Sequence, residues 1–201
     1  MLRVLKRLLV AMCLGAVALA SSAEAQRANP PRVGLVIGNA KYPDGDYPLT
    51  SSTEDARFLA AELKSKGFVV SLGENLSRSE MKASFDRFVA GIQPGSAVLL
   101  YFSGYGVQSG RKNYLIPVDA QIWAETDVQR AGFELNEMLA EIDRRNPSST
   151  VVVLDAAHRN PFERRFRTYS NGLAPIASLP RPATLMYSTS PGKVLARPGG
   201  G

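Results

Sequence analysis

The chain has 201 residues, 45% of them apolar and 21% charged, with a formal net charge of +6. That length and apolar content fit one α/β domain with a sizeable core and exclude an intrinsically disordered chain. Basic residues cluster tightly only at Arg144-Arg145 and Arg164-Arg165-Phe166-Arg167, which is a solvated surface or an acid-facing patch and no nucleic-acid signature.

In chain order, the first 25 residues read as a signal peptide. Arg3, Lys6 and Arg7 form a basic start, Leu8 to Ala20 is an apolar run, and Ala23-Glu24-Ala25 offers small residues for cleavage before Gln26. The run is short for a bilayer span. The expected destination is therefore export, to a periplasm or the medium, with membrane contact only through an uncleaved leader. Arg3, Lys6 and Arg7 against Glu24 account for +2 of the charge, leaving +4 from residue 26 onward. The single cysteine, Cys13, lies in the leader, so the mature chain has no thiol for disulfides or nucleophilic chemistry.

Residues 26–31 read as a linker, and the domain runs over 32–201. Val33 to Gly38 is an apolar, β-branched run of the kind that forms a buried parallel strand. A loop rich in Pro, Gly and Asp follows over 39–52. Residues 53–66 form a helix with Ala56, Leu59, Ala60 and Leu63 on one face, ending at Gly67. Phe68 to Leu72 is a second strand. Ser77-Arg78-Ser79-Glu80 is a capping box that opens a helix with Met81, Phe85, Phe88 and Val89 inward. Pro94-Gly95 turns the chain into a third strand, Ala97 to Phe102. A long excursion with a hairpin-like Tyr114-Leu115-Ile116-Pro117 leads to a helix over Leu135 to Arg144. Thr150 to Leu154 and Thr184 to Ser188 are the fourth and fifth strands.

Strands alternating with helices predict a doubly wound, mainly parallel α/β sheet flanked by helices. Ligands in such sheets bind beyond the carboxyl ends of the strands. Those ends are Ser103-Gly104-Tyr105-Gly106 and Asp155-Ala156-Ala157-His158. No cofactor is implied. No metal site is implied either: His158 is the only histidine, and the Asp44-Gly45-Asp46 loop alone is no calcium signature.

Several segments occur together in one order: Val36-Ile37-Gly38-Asn39, Asp55-Ala56, Tyr101-Phe102-Ser103-Gly104, Tyr114 to Ala120, Leu154-Asp155-Ala156, Asn160-Pro161-Phe162 and Ser190-Pro191-Gly192. In this order they resemble the caspase–metacaspase superfamily, in its bacterial caspase-like (peptidase C14, p20) branch. The resemblance implies a catalytic His after the third strand, in Ser-Gly-His-Gly, and a nucleophilic Cys after the fourth, in Asp-Ala-Cys. Tyr105 and Ala157 occupy those two positions. A methyl has no nucleophilic atom, and a phenol of pKa near 10 is a poor base at neutral pH. The expectation is a pseudoenzyme with no intact catalytic residue. Tyr105 either fills the space of the lost groups or caps the pocket.

The resemblance also carries an Arg/Lys-selecting role to Asp55 and Asp155, two carboxylates suited to a cationic side chain. Each has a plainer reading, Asp55 as a first-turn helix residue and Asp155 as a strand-end acceptor. The expected partner is a peptide or protein presenting Arg or Lys, or a related peptidase to be regulated. Family domains continue with a further helix and a sixth strand beyond the fifth, so the expectation is either a C-terminally truncated domain or a sheet edge open to strand addition or self-association. Two other readings stay open: a hydrolase whose chemistry has moved to Ser103, Ser188 or Ser190 with His158, and a structural, self-assembling module.

Overall fold

The computed structural model describes residues 30–43, 49, 51–156, 160–162, 166, 172–176, 179, 182–190, 192 and 193. The expected leader, most of the linker, the Asp44-Gly45-Asp46 loop, Ala157, His158 and the arginines at 164, 165 and 167 lie outside them. The chain divides into two compact units, Met1–Pro30 and Pro31–Gly201. Every element below belongs to the second.

Five strands form one sheet: β1 (Arg32–Gly38), β2 (Phe68–Glu74), β3 (Ala97–Ser103), β7 (Ser149–Asp155) and β8 (Ala183–Tyr187). Their order is β2-β1-β3-β7-β8, and every neighbouring pair is parallel. The chain first steps outward from β1 to β2, then returns past β1 to β3. The winding direction therefore reverses between β1 and β3, which opens a crevice at their carboxyl ends.

The two faces of the sheet are filled differently. Helices α2 (Arg78–Gly91) and α4 (Leu135–Asp143) cover one face. There Met81, Phe85, Phe88 and Leu139 pack on Leu35, Leu100, Phe102 and Leu154. Helix α1 (Ser52–Ser65) lies on the other face, with Ala56, Ala60 and Leu63 against Val36 and Tyr101. Small inward residues let α1 sit close: a Cβ on Gly38 would stand 2.3 Å from the Ser52 carbonyl oxygen. The capping box at α2 forms as the sequence predicts. The Ser77 amide donates to Glu80 Oε2 at 2.9 Å, and the Glu80 amide donates to Ser77 Oγ at 3.4 Å.

The excursion after β3 builds a second, antiparallel sheet, β4 (Gly106–Ser109), β5 (Lys112–Leu115) and β6 (Phe133–Glu134), with α3 (Glu125–Ala131) beside it. The hairpin expected around Tyr114 is the β4–β5 pair, with Ile116 and Pro117 just beyond the strand. Its side chains make a separate small core with Tyr105, Ile116, Ile122, Val128 and Phe162. Among the described residues the parallel sheet ends at β8 on one side and β2 on the other, and no helix is long and apolar enough to cross a membrane.

Candidate functional site

The three central strands stay laced together past their ends. The Asn39 amide donates to the Ser103 carbonyl at 2.8 Å, the Gly104 amide to Asp155 at 3.2 Å, and the Gly106 amide to Ala156 at 3.1 Å. Asn39 is fully buried and ties this rim to two other segments. Its Nδ2 donates to the Ile116 carbonyl at 3.3 Å, and its Oδ1 accepts the Leu76 amide at 2.9 Å.

Tyr105 is 1% exposed and belongs to the small core under the second sheet. Its backbone is fixed from both sides. The Tyr105 amide donates to the Tyr42 hydroxyl at 3.0 Å, and the Ile116 amide donates to the Tyr105 carbonyl at 3.0 Å. Tyr42 completes the loop by donating to the Ile116 carbonyl at 2.9 Å. Burial pushes the Tyr42 hydroxyl well above the usual phenol range. The approach of Tyr42 also explains the glycine before Tyr105, because a Cβ on Gly104 would stand 2.6 Å from the Tyr42 oxygen.

The carboxylates occupy the opposite side of the rim. Ser103 pairs with Asp155 across β3 and β7, and its Oγ donates to Asp155 Oδ2 at 3.3 Å. Asp155 is half-buried, while Asp55, in the first turn of α1, is exposed. The Tyr101 phenol reports on both. Burial is the main cause of its raised pKa, and the charges of Asp155 and Asp55 add to it, against a hydrogen bond with Ser103. Asp155 shares the α1 face of the sheet through its register with Ser103, and Asp55 stands in the first turn of α1, so both acidic groups belong to the α1 side of the rim. Two carboxylates so placed can hold a guanidinium or ammonium group by charge-assisted hydrogen bonds.

The Tyr105 side is further closed by the chain itself. Leu173 is buried against β4, its Cδ2 2.8 Å from where a Cβ on Gly106 would be. Asn113 on β5 holds this segment like a neighbouring strand. Its Oδ1 accepts the Ala174 amide at 2.7 Å, and its Nδ2 donates to the Ala174 carbonyl at 2.8 Å.

Of the residues singled out by sequence, Asp55, Ser103, Tyr105 and Asp155 are brought to one rim, on two sides of it. Ala157 and His158 lie outside the described residues, although Ala156, directly before them, is bonded to Gly106. Ser103 is completely buried and donates to a carboxylate, so its hydroxyl is no exposed nucleophile. Asn160-Pro161-Phe162 is structural: Phe162 is buried, and its amide donates to Asn160 Oδ1 at 2.9 Å. Sequence reasoning missed Tyr42 and Asn113. No local pattern marks either, since their partners lie 63 and 61 positions away.

A parallel sheet of this order, with its site at the β1/β3 reversal and the adjoining β7 end, defines a caspase-type α/β domain. The caspase-domain family model, Peptidase_C14, matches residues 31–201, and the chain belongs to that family. The human mucosa-associated lymphoid tissue lymphoma translocation protein 1 is 31% identical over 90 residues, which are 44% of this chain and 11% of that protein. The matched stretch thus spans about a tenth of that relative's length. Among solved structures, protein GSU0716 from Geobacter sulfurreducens superposes with a TM-score of 0.50 at 19% identity. That match covers 64% of this chain and 51% of the other, and it shows likeness of fold alone.

Proposed function

We propose that this caspase domain is an exported, non-catalytic member of its family that binds a peptide or protein segment through an Arg or Lys side chain. The observation that carries this reading is the split between the two sides of the rim. At the position of the family's general base, Tyr105 is core, clamped by Tyr42 and Ile116. On the other side, Asp55 is exposed and Asp155 half-exposed, both near Tyr101. With Ala157 at the nucleophile position, no acyl-enzyme can form there. A carboxylate pair needs no nucleophile to hold a cation, so recognition outlasts the loss of chemistry. Export is supported by the basic start, the apolar run and Ala23-Glu24-Ala25.

The test has two arms. The purified protein is assayed on fluorogenic peptides with Arg or Lys before the reporter, and no turnover above a mock purification is expected. Turnover by the wild type would sink the non-catalytic reading. In parallel, fluorescence anisotropy compares a labelled Arg peptide with its Leu counterpart. The Arg peptide should bind more tightly, and Asp55→Asn with Asp155→Asn should weaken it by about tenfold or more. Equal affinity for both peptides overturns the cation-binding reading.

A further inference from the structure

Among the described residues the sheet ends at β2 on the side away from β8, and that edge is little blunted. Its seven residues, Phe68 to Glu74, contain no proline and a single charge, at the last position. Val69 is 72% exposed and Leu72 39%. The hydrogen-bond phase of this edge follows from its inner side. The Asn75 amide donates to the Gly38 carbonyl at 2.9 Å. A parallel ladder alternates, so Val69, Ser71 and Gly73 point their main-chain groups toward β1. The N–H and C=O groups of Phe68, Val70, Leu72 and Glu74 then face outward.

We propose that a second copy of this chain adds here, β2 against β2, antiparallel, with Val70 on the two-fold axis. Val70 then meets Val70 of the second copy, and Phe68 meets Leu72 on each side of the axis. These pairs supply about six main-chain hydrogen bonds, and the sheet becomes continuous across the two copies. The charges at the strand ends select this register. Lys66 caps α1 two residues before the strand and Glu74 ends it, so the antiparallel arrangement brings the lysine end of each strand to the glutamate end of the other. Moving the axis by one residue sets Glu74 against Phe68, or Lys66 against Leu72, and loses the charge match while keeping only Val70 with Leu72, or Phe68 with Val70, as apolar pairs. Arg57 already engages both Glu74 oxygens, Nε on Oε1 at 2.8 Å and Nη2 on Oε2 at 2.5 Å, and each oxygen retains a lone pair for a second cation. The interface is isologous and uses one patch twice, as closed two-fold pairing requires. It leaves the Asp55–Asp155 rim free, and it stands or falls separately from the ligand proposed above.

Sedimentation velocity on the purified full chain, over a wide concentration range, tests the assignment. The expected result is reversible formation of a species of twice the monomer's mass. Glu74→Lys sets two pairs of lysines face to face and should weaken the dimer about tenfold or more. Adding Lys66→Glu restores opposite charges and should return affinity to within about threefold of wild type. Within one copy the two residues stand at opposite ends of the strand, so that rescue acts between copies. Circular dichroism and a melt confirm that each variant folds. A wild type that stays monomeric up to about 0.5 mM overturns the proposal. So does a dimer that the double swap fails to restore, or one that Leu185→Arg on β8 breaks while Glu74→Lys leaves it intact.

Discussion

The rings of Tyr42 and Tyr105 meet with centroids 4.6 Å apart and planes tilted by 59°, while the Tyr42 oxygen accepts the Tyr105 amide at 3.0 Å. One side chain thus holds both the ring and the backbone of Tyr105. Tyr42→Phe keeps the ring contact and removes the oxygen. The Ile116 carbonyl still receives Asn39 Nδ2, so the loss falls on the Tyr105 amide. An orphaned buried N–H costs about 1–3 kcal/mol. Chemical denaturation should show that loss, with affinity for an Arg peptide unchanged.

The same hydroxyl gives the protein an alkaline limit. Burial raises the pKa of Tyr42, and burial followed by the Asp155 and Asp55 charges raises that of Tyr101. Both phenols are thus kept protonated in the fold beyond the pH at which the unfolded chain lets go. Below about pH 10 the two states bind the same phenolic protons, and stability is flat on this account. Above it the unfolded state binds fewer, so unfolding free energy falls as pH rises. Urea midpoints at about pH 8 and about pH 11 should differ in the wild type, and the difference should shrink in Tyr42→Phe.

Gly104→Ala tests the close approach directly. The added methyl would stand 2.6 Å from the Tyr42 oxygen and 2.8 Å from Phe102 Cζ. Both rings are held by packing, so the cost should be about 1–3 kcal/mol. Removing the Tyr42 oxygen relieves the tighter of the two contacts. Gly104→Ala should therefore cost less in a Tyr42→Phe background, a coupling that a double-mutant cycle reads. Strict additivity would show that Tyr42 does not shape this position.

The parallel sheet was legible because its strands are short apolar runs separated by amphipathic helices. Its ladder bounds follow the predicted runs within a residue or two, and Met81, Phe85, Phe88 and Val89 are buried as the helical spacing requires. The antiparallel sheet was legible only as a hairpin near Tyr114. Its strands are two to four residues long, too short for a period-2 pattern to rise above loop composition. At the site, the sequence placed Tyr105 and Asp155 at adjacent strand ends and left open whether Tyr105 fills space or caps a pocket. The choice depended on Tyr42, in a loop with no periodic signal. The carboxylates could be assigned to one rim but not to one face of it, because that depends on the Ser103–Asp155 register. Among the described residues the fifth strand, β8, is one edge of the sheet and β2 the other, with Met186 54% exposed on β8 and Val69 72% exposed on β2. A continuous apolar strand gives no hint of which end of the sheet it occupies.

Asn113 separates the closed side of the rim from the open one. Its amide matches the Ala174 main chain at two points, 2.7 and 2.8 Å, and all these groups are buried. Asn113→Ala removes both partners at once, at about 1–3 kcal/mol for each main-chain group left unpaired. Hydrogen exchange at the Ala174 amide should accelerate, while the β3 amides keep their protection. Leu173 and Ala156 belong to the core on the α2 and α4 face, whereas Ser103 and Asp155 follow Tyr101 onto the α1 face. Asn113 bonds to Ala174 and Asp155 to Ser103, with no partner in common, so affinity for an Arg peptide should stay within a factor of about two in Asn113→Ala. A large loss of affinity would mean that the ligand reaches across the rim to the Tyr105 side, and that the segment at 172–174 helps to hold it.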